Sequence, residues 1–562
     1  MKVSFYHIVI VILLSVASVH AQQADDIILK AMQDELDRNM KELRLPNYDK
    51  PFFIMYSIQD QRSYSLTATL GSIIESTERP SRFKSNTRIL VGDYSFNDES
   101  LEDNLTSPPT ALDIGLPIDD DYAGIRRSLW SSTDKVYRDA ARHFLKHQQT
   151  LKESAKQLSE IPHRSFAKGS PVRLISTFAK FAFDKTTYES LLKDLSAVFL
   201  KHPDILYSTA IFQFTEGHNY MVNSEGVVAK IPFQETSLVV IGQHKNQQGE
   251  IVVDQIVHNV QTPDQLPSTE NLRIEIESMI TRIEKQLDVA KLDEEYTGPV
   301  LLSGPVVGNI FASVLFGRGE SIYANNFIPR LSGYQFSNNA AAMDNKIGKN
   351  ILSESITVKA RPKLKNYNGK PLLASFDIDD EGIVPPDEVV VVQNGVLKNL
   401  LNDRTLTQST QIANGFSSGP GVIEVTSTHR NSEKELKEKL IAAAKADGLD
   451  FGLMVKQGPN LMGITNVYKV NVKDGSEVLL RNALLQDVSF KVFRRILGAS
   501  ENYQAHNIGS SNYLLNDRNN GQKASYIVPE SMLLESMEVK PFDMPTLKED
   551  EYVSNPLIGS GR

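Results

Sequence analysis

Phe376-Asp-Ile-Asp-Asp-Glu-Gly382 is followed closely by Val389-Val-Val-Val-Gln-Asn-Gly-Val-Leu-Lys398 and then by Leu401-Asn-Asp-Arg404. In the first phrase, consecutive acids close on a glycine, the composition of a tight turn in which glycine adopts a positive φ. Such a turn could hold a cation, but a single turn supplies few oriented oxygens, which favours a structural role. In the second phrase, Asn394-Gly395 separates two valine-rich runs, the signature of a two-residue β-hairpin. Arg404, ending the hairpin, reads as a surface ion-pair partner. The block is one of short strands and turns, so the half of the chain around it is expected to be β-dominated.

Working outward, Gly298, Pro299, Gly304, Pro305 and Gly308 punctuate short apolar runs, and the character changes after Asp293-Glu-Glu295. A domain boundary is therefore expected near residues 293–297. Upstream, Ile28, Met32, Leu36, Met40 and Leu43 recur every three or four residues, which predicts an amphipathic helix over Asp25–Leu43. Pro51–Ser57 reads as a buried strand, with further strands at Ser63–Ile74 and Thr87–Phe96 and Arg79-Pro80-Ser81 in their connection. A long helix is expected over Tyr122–Leu158, with an apolar face of Ile125, Leu129, Trp130, Val136, Tyr137, Ala140, Ala141, Phe144 and Leu145. Another follows at Lys185–Leu200, with Asp184 as N-cap. Strands alternate from Ile205 to Val260 around turns at Asn223-Ser-Glu-Gly226 and Asn246-Gln-Gln-Gly249, before a helix over Thr269–Leu292 capped by Ser268.

The expected fold class is α+β. An N-terminal α/β region over residues 22–295, divisible near 160–180, carries long helices and a mixed sheet. A β-dominated domain over 296–540 follows, with a flexible tail over 541–562.

Met1-Lys2, the apolar run Ile8–Val19 and the small residues of Val19-His20-Ala21 have the layout of a secretion signal over residues 1–21. A periplasmic or secreted location is expected. No later stretch is apolar and long enough to span a bilayer as a helix. With no cysteine in 562 residues, disulfides, thiol nucleophiles and thiolate metal ligands are excluded. The formal net charge of −9, without a basic block, argues against nucleic acid as a partner.

Several phrases in the C-terminal half resemble those of the TldD/PmbA family of metallopeptidases. They are Tyr296-Thr-Gly-Pro-Val-Leu-Leu302, the block around Asp379, Asn394 and Arg404, Arg481-Asn-Ala-Leu-Leu-Gln-Asp487, and Val528-Pro-Glu-Ser-Met-Leu-Leu-Glu535. They fall in the family's order across roughly residues 296–540. The resemblance implies zinc-dependent peptide hydrolysis, by a His-Glu-x-x-x-His helix and a distant cysteine. The matching stretch here is Asn309-Ile-Phe-Ala-Ser-Val-Leu-Phe-Gly-Arg-Gly-Glu320. It puts Ala312 and Gly317 at the histidine positions and Ser313 at the glutamate, so no catalytic or metal residue is expected in this motif. What the family then implies is a metal-free, PmbA-like member. Such a chain would dimerise with a metal-bearing TldD-like relative that holds the zinc, and would act on a peptide substrate. Phe311, Val314 and Leu315 are candidates for a partner-facing cavity, with core packing as the plainer reading.

Other chemistry is sparse. Asp139, His143 and His147 share one helical stripe and could ligate a metal. Lys135, Arg138, Arg142 and Lys146 crowd the same helix, so a solvated stripe is the competing reading. His218, His244 and His258 share no register, and Ser427 and His429 lie in Thr426-Ser-Thr-His-Arg430 without the geometry of a catalytic pair. Two further functions stay open: a metallopeptidase with an unrecognised metal site, and a non-enzymatic extracytoplasmic peptide-binding protein.

Overall fold

A computed structural model describes residues 26–101, 115–154, 157–160, 163–177, 180–316, 321–323, 341–406, 412–456, 465–486, 488–508, 523–543 and 546. The expected signal over 1–21 lies outside the described residues, as does most of the expected tail. The chain is α+β, with helices α1 (Ile27–Glu42), α2 (Tyr122–Ser154), α3 (Lys185–Ser196), α4 (Thr269–Leu287), α5 (Pro305–Phe316) and α6 (Glu433–Ala446). It divides into two compact units, each assembled from separate segments of chain. Residues 1–61, 80–178 and 217–232 form the first, and 62–79, 179–216 and 233–562 the second.

The N-terminal sheet contains β1 (Pro51–Thr69), β2 (Ser72–Val91), β3 (Val172–Ile175), β4 (Tyr207–Asn223), β5 (Val227–Lys245) and β6 (Ile251–Val260). Its order is β2-β1-β4-β5-β3, with β6 also paired to β5. Two expectations fail here. Pro51–Ser57 and Ser63 onward are one continuous strand, and the turn falls at Leu70-Gly71, where φ is 46° and 77°. Arg79-Pro80-Ser81 lies inside β2 rather than in a connection. Because β2 is the outermost strand of the sheet, a proline there can be placed without interrupting a ladder on both sides.

In the first unit, the Asp26 side chain accepts from Leu29 N at 3.0 Å and so caps α1. The apolar stripe of α1, Ile28, Leu29, Met32 and Leu36, joins a core with Ile54, Tyr56, Ile125, Leu129 and Phe144. A polar thread runs through that core. Asn39 Nδ2 donates to Tyr56 Oη at 2.8 Å, and Tyr56 shares a hydrogen bond of 2.6 Å with Thr133. Burial pushes the Tyr56 phenol up to about 12, so it stays neutral and can hold both bonds. The apolar face of α2 is narrower than its sequence suggests: Trp130 and Leu145 are exposed.

In the second unit, Asp184 caps α3, which ends at Ser196 and passes into a 3₁₀ turn over Ala197–Lys201. Ser268 caps α4, which stops at Leu287, short of the expected Leu292. The unit contains two further sheets, built from β7 (Tyr296–Ser303), β8 (Ile356–Ala360), β9 (Val389–Gln393), β10 (Val396–Leu397), β11 (Gly421–Ser427), β12 (Phe451–Val455), β13 (Thr465–Asn471), β14 (Glu477–Leu485), β15 (Ile496–Ala499), β16 (Tyr503–Ile508), β17 (Ala524–Pro529) and β18 (Ser531–Pro541). One runs β10-β9-β8-β11-β17-β16. The other runs β14-β13-β12-β7-β18-β15, and β14 also pairs with β18, which closes a ring of strands.

Inward alternation explains how the first of these sheets carries two faces. Ala524, Tyr526 and Val528 of β17 turn to the large core that includes α5, while Ile527 packs with Leu372 and Val422 on the opposite face. Glu250 ties the end of β5–β6 to this unit. Its carboxylate takes Arg481 at 2.9 Å and Asn246 Nδ2 at 2.9 Å, and pairs with Lys291.

Candidate functional site

Helix α5 begins with Pro305 directly after Gly304, whose φ of 71° turns the chain off strand β7. The next turns are almost wholly apolar and buried. Phe311, Ala312 and Leu315 have no exposed surface and Val314 almost none. The Phe311 ring packs against Phe493 with centroids 4.8 Å apart. These contacts place Phe311, Val314 and Leu315 in the domain core, as does the burial of Ala312 beside them. Gly317 lies outside the described residues.

The polar side of α5 is Asn309, one turn before Ser313. Asn309 Oδ1 lies 2.8 Å from His506 Nε2, which reaches it from β16. Gly308 makes room for that ring: a Cβ there would sit 3.0 Å from His506 Cδ2. Burial, and then the charge of Lys370, push the His506 imidazole down to about 4, so it is neutral at ordinary pH. Tyr526 stands directly opposite His506 across the β16–β17 pair. Tyr323, just after α5, sets its ring at a tilt to that of Phe316, with centroids 5.3 Å apart. His506, Tyr526 and Tyr323 escaped the sequence reading, although Gln504, His506 and Ile508 form a period-2 set that marks one face of a strand.

These residues do not fit a zinc ion. A zinc centre needs several imidazole, carboxylate or thiolate donors converging on one point. Here α5 offers an alanine and a serine, and the one nearby imidazole is engaged with an amide. Among the described residues no group of three or more His, Asp or Glu side chains is arranged to hold a metal.

The acidic turn is a second constellation, and it overturns the reading of Arg404. That residue is fully buried, not on the surface. Its backbone N donates to Glu381 Oε2 at 2.7 Å, and its guanidinium reaches the Glu381 carbonyl at 3.4 Å. The return of the hairpin brings Arg404 under the turn, where its main chain and side chain both tie down Glu381. Asp379 is equally enclosed. Its Oδ1 accepts from Glu381 N at 3.0 Å and Ile383 N at 2.8 Å, and its Oδ2 from Ser417 N at 3.2 Å. Burial, reinforced by the neighbouring Glu381 charge, pushes the Asp379 carboxyl up to about 7. The turn spends its oxygens on backbone N–H groups, which is a structural knot.

The stripe on α2 also differs from its solvated reading. His147 is buried, with Nδ1 3.1 Å from the Asn97 carbonyl and its ring 6.2 Å from Phe96. Asp139 lies 3.8 Å from Arg142. His258 pairs with Glu275 at 2.7 Å, and His429 N donates to Ser427 Oγ at 3.1 Å, a local turn bond. No helix among the described residues is long and apolar enough to cross a membrane.

With this geometry in hand, known proteins identify the class. Residues 298–540 match the PmbA/TldA metallopeptidase C-terminal domain. Over those residues the chain carries a domain of the TldD/PmbA family. A proposed modulator of DNA gyrase from Thermotoga maritima superposes with a TM-score of 0.56 at 14% identity, covering 87% of this chain and 96% of that one. TldE from Thermococcus kodakarensis gives 0.51 at 12% identity, over 91% of this chain and 100% of that one. A proposed gyrase modulator from Bacteroides thetaiotaomicron gives 0.54 at 11% identity, over 92% and 100%. At these identities the likeness is one of fold. No curated protein sequence matches the chain significantly.

Proposed function

We propose that this chain works outside the cytoplasm as the non-catalytic subunit of a peptide-hydrolysing pair, joined to a zinc-bearing relative of its own family. The observation that carries the reading is α5. At the positions where the family's zinc motif falls, it has Ala312 and Ser313, and Ala312 is sealed in the core. The secretion-type segment over residues 1–21 supports the location, and the absence of cysteine from the chain removes the remaining metal ligand that the family implies.

Co-expression with a secreted relative that keeps His-Glu-x-x-x-His, followed by size-exclusion chromatography, tests the pairing. An obligate pair would bury roughly 2,000 Å² or more and elute together. A chain that stays monomeric at micromolar concentration, alone and mixed with that relative, would sink the proposal. Stoichiometric zinc in the purified chain, with chelator-sensitive peptidase activity, would instead favour a metal site built from other residues.

A further inference from the structure

Among the described residues, three buried polar groups around α5 have no hydrogen-bond partner: Tyr526 Oη, Tyr323 Oη and Gln504 Nε2. They are not scattered. Gln504 and His506 lie two residues apart on β16, so they share the sheet face that carries Tyr526, His506's direct cross-strand partner. That is the face turned to α5, since His506 meets Gly308 and Asn309. Tyr323 is near enough for the Tyr526 phenol to bear on it electrostatically. Leaving a buried donor unsatisfied is costly, and native proteins rarely carry several together without a purpose.

The chemistry of the orphans narrows what completes them. Two are phenol hydroxyls and one is an amide N–H, so all three can donate. Lys370, which donates to the Ala505 carbonyl at 2.8 Å on the same strand β16, adds positive potential near His506. The acid that bears on this group is Asp403, beside Tyr323, so an anion is favoured toward the Tyr526 and Gln504 end. We propose that the α5-facing side of β16 and β17 binds a carboxylate, with Tyr526 and Gln504 as its donors and His506, fixed by Asn309, as the wall beside it. The ligand's identity as a peptide end rests on the proposed peptide-handling function; the site itself does not, since it lies within one chain and needs no partner.

Isothermal titration of the isolated full chain with acetyl-Ala-Ala bearing a free C-terminus, with the same peptide amidated, and with acetate separates the cases. The free acid should bind, and the amide at least about tenfold more weakly. Acetate binding as well as the peptide acid would identify a small free acid as the source; peptide acid alone would identify a chain terminus. Tyr526→Phe and Gln504→Leu should each weaken the acid at least about tenfold while leaving the melting temperature unchanged or higher, because each removes an unsatisfied donor. Tyr503→Phe, whose hydroxyl serves Ser427 N on the opposite face, should leave binding unchanged. Failure of both acids to bind, equal binding of acid and amide, or full binding by Tyr526→Phe would overturn the proposal, since ordered water alone would then satisfy these groups. A loss of pairing with a relative would not bear on it.

Discussion

Asp379 holds its proton unusually tightly for a carboxyl, at about 7 against an ordinary 3.8. The folded state therefore binds that proton more strongly than the unfolded chain does. The stability this contributes is complete below about pH 4 and is lost as the pH rises through about 7. Urea midpoints should fall between about pH 5 and pH 8, and Asp379→Asn should flatten that slope. The amide keeps Oδ1 for Glu381 N and Ile383 N and sacrifices only the bond from Ser417. An unchanged slope in the variant would show that another group sets the pH dependence. Arg404→Met should cost about 1–3 kcal/mol in chemical denaturation, because it removes a fully buried guanidinium that donates to the Glu381 carbonyl; a loss below about 0.5 kcal/mol would return Arg404 to a minor role. Neither result was legible from the residues alone. The acidic turn and the glycine were visible, but the depth at which they sit depends on β11 and its glycine-rich approach, some forty residues later. Arginine at a hairpin end is ordinarily exposed, so composition pointed the wrong way.

Local chemistry was read more faithfully in the elements. Asn394 and Gly395 take φ of 49° and 78°, the paired positive values that the two-residue hairpin demands. A Cβ on Gly395 would stand 2.5 Å from the Leu352 carbonyl oxygen, so Gly395→Ala combines backbone strain with a clash against main chain. It should lower stability by roughly 2 kcal/mol or more, read as a fall in melting temperature; a neutral result would mean the hairpin can shift. Helix caps at Asp184 and Ser268 were also evident, because each is settled by a few neighbouring residues. The turn at Leu70-Gly71 was not, since a leucine in the left-handed region leaves no mark in composition. Helix α5 shows the same divide. Its apolar run predicted a packed helix, whereas His506 reaches Asn309 from nearly two hundred residues away. Restoring Ala312→His, Ser313→Glu and Gly317→His should give no zinc-dependent peptidase and should destabilise the fold, as Ala312 has no room for an imidazole. Robust activity in that variant would show that a third ligand is present after all.

Across the whole molecule, the fold class followed from periodicity, but the grouping of segments did not. Long strands such as β1 and β4 give residues to both compact units, which no local pattern announces. Arg481 carries a long-range tie of the same kind, reaching Glu250 from a distant part of the sequence. Arg481→Ala should leave that mostly buried carboxylate with Lys291 and Asn246, and lower the melting temperature more at low than at high salt if the loss is electrostatic. A salt-independent change would assign Arg481 to packing. The ring formed by β7, β12, β13, β14 and β18 has a temporal consequence. Strand β7 pairs with β18, so its place in the ring is filled only by the last strand of the domain. During synthesis, the margins of β7 and β14 that β18 covers stay bare until that strand has emerged, and such late closure makes for slow folding and a window for aggregation. Chaperone dependence, rather than equilibrium instability, is thus the expected weakness of this domain when it is overproduced.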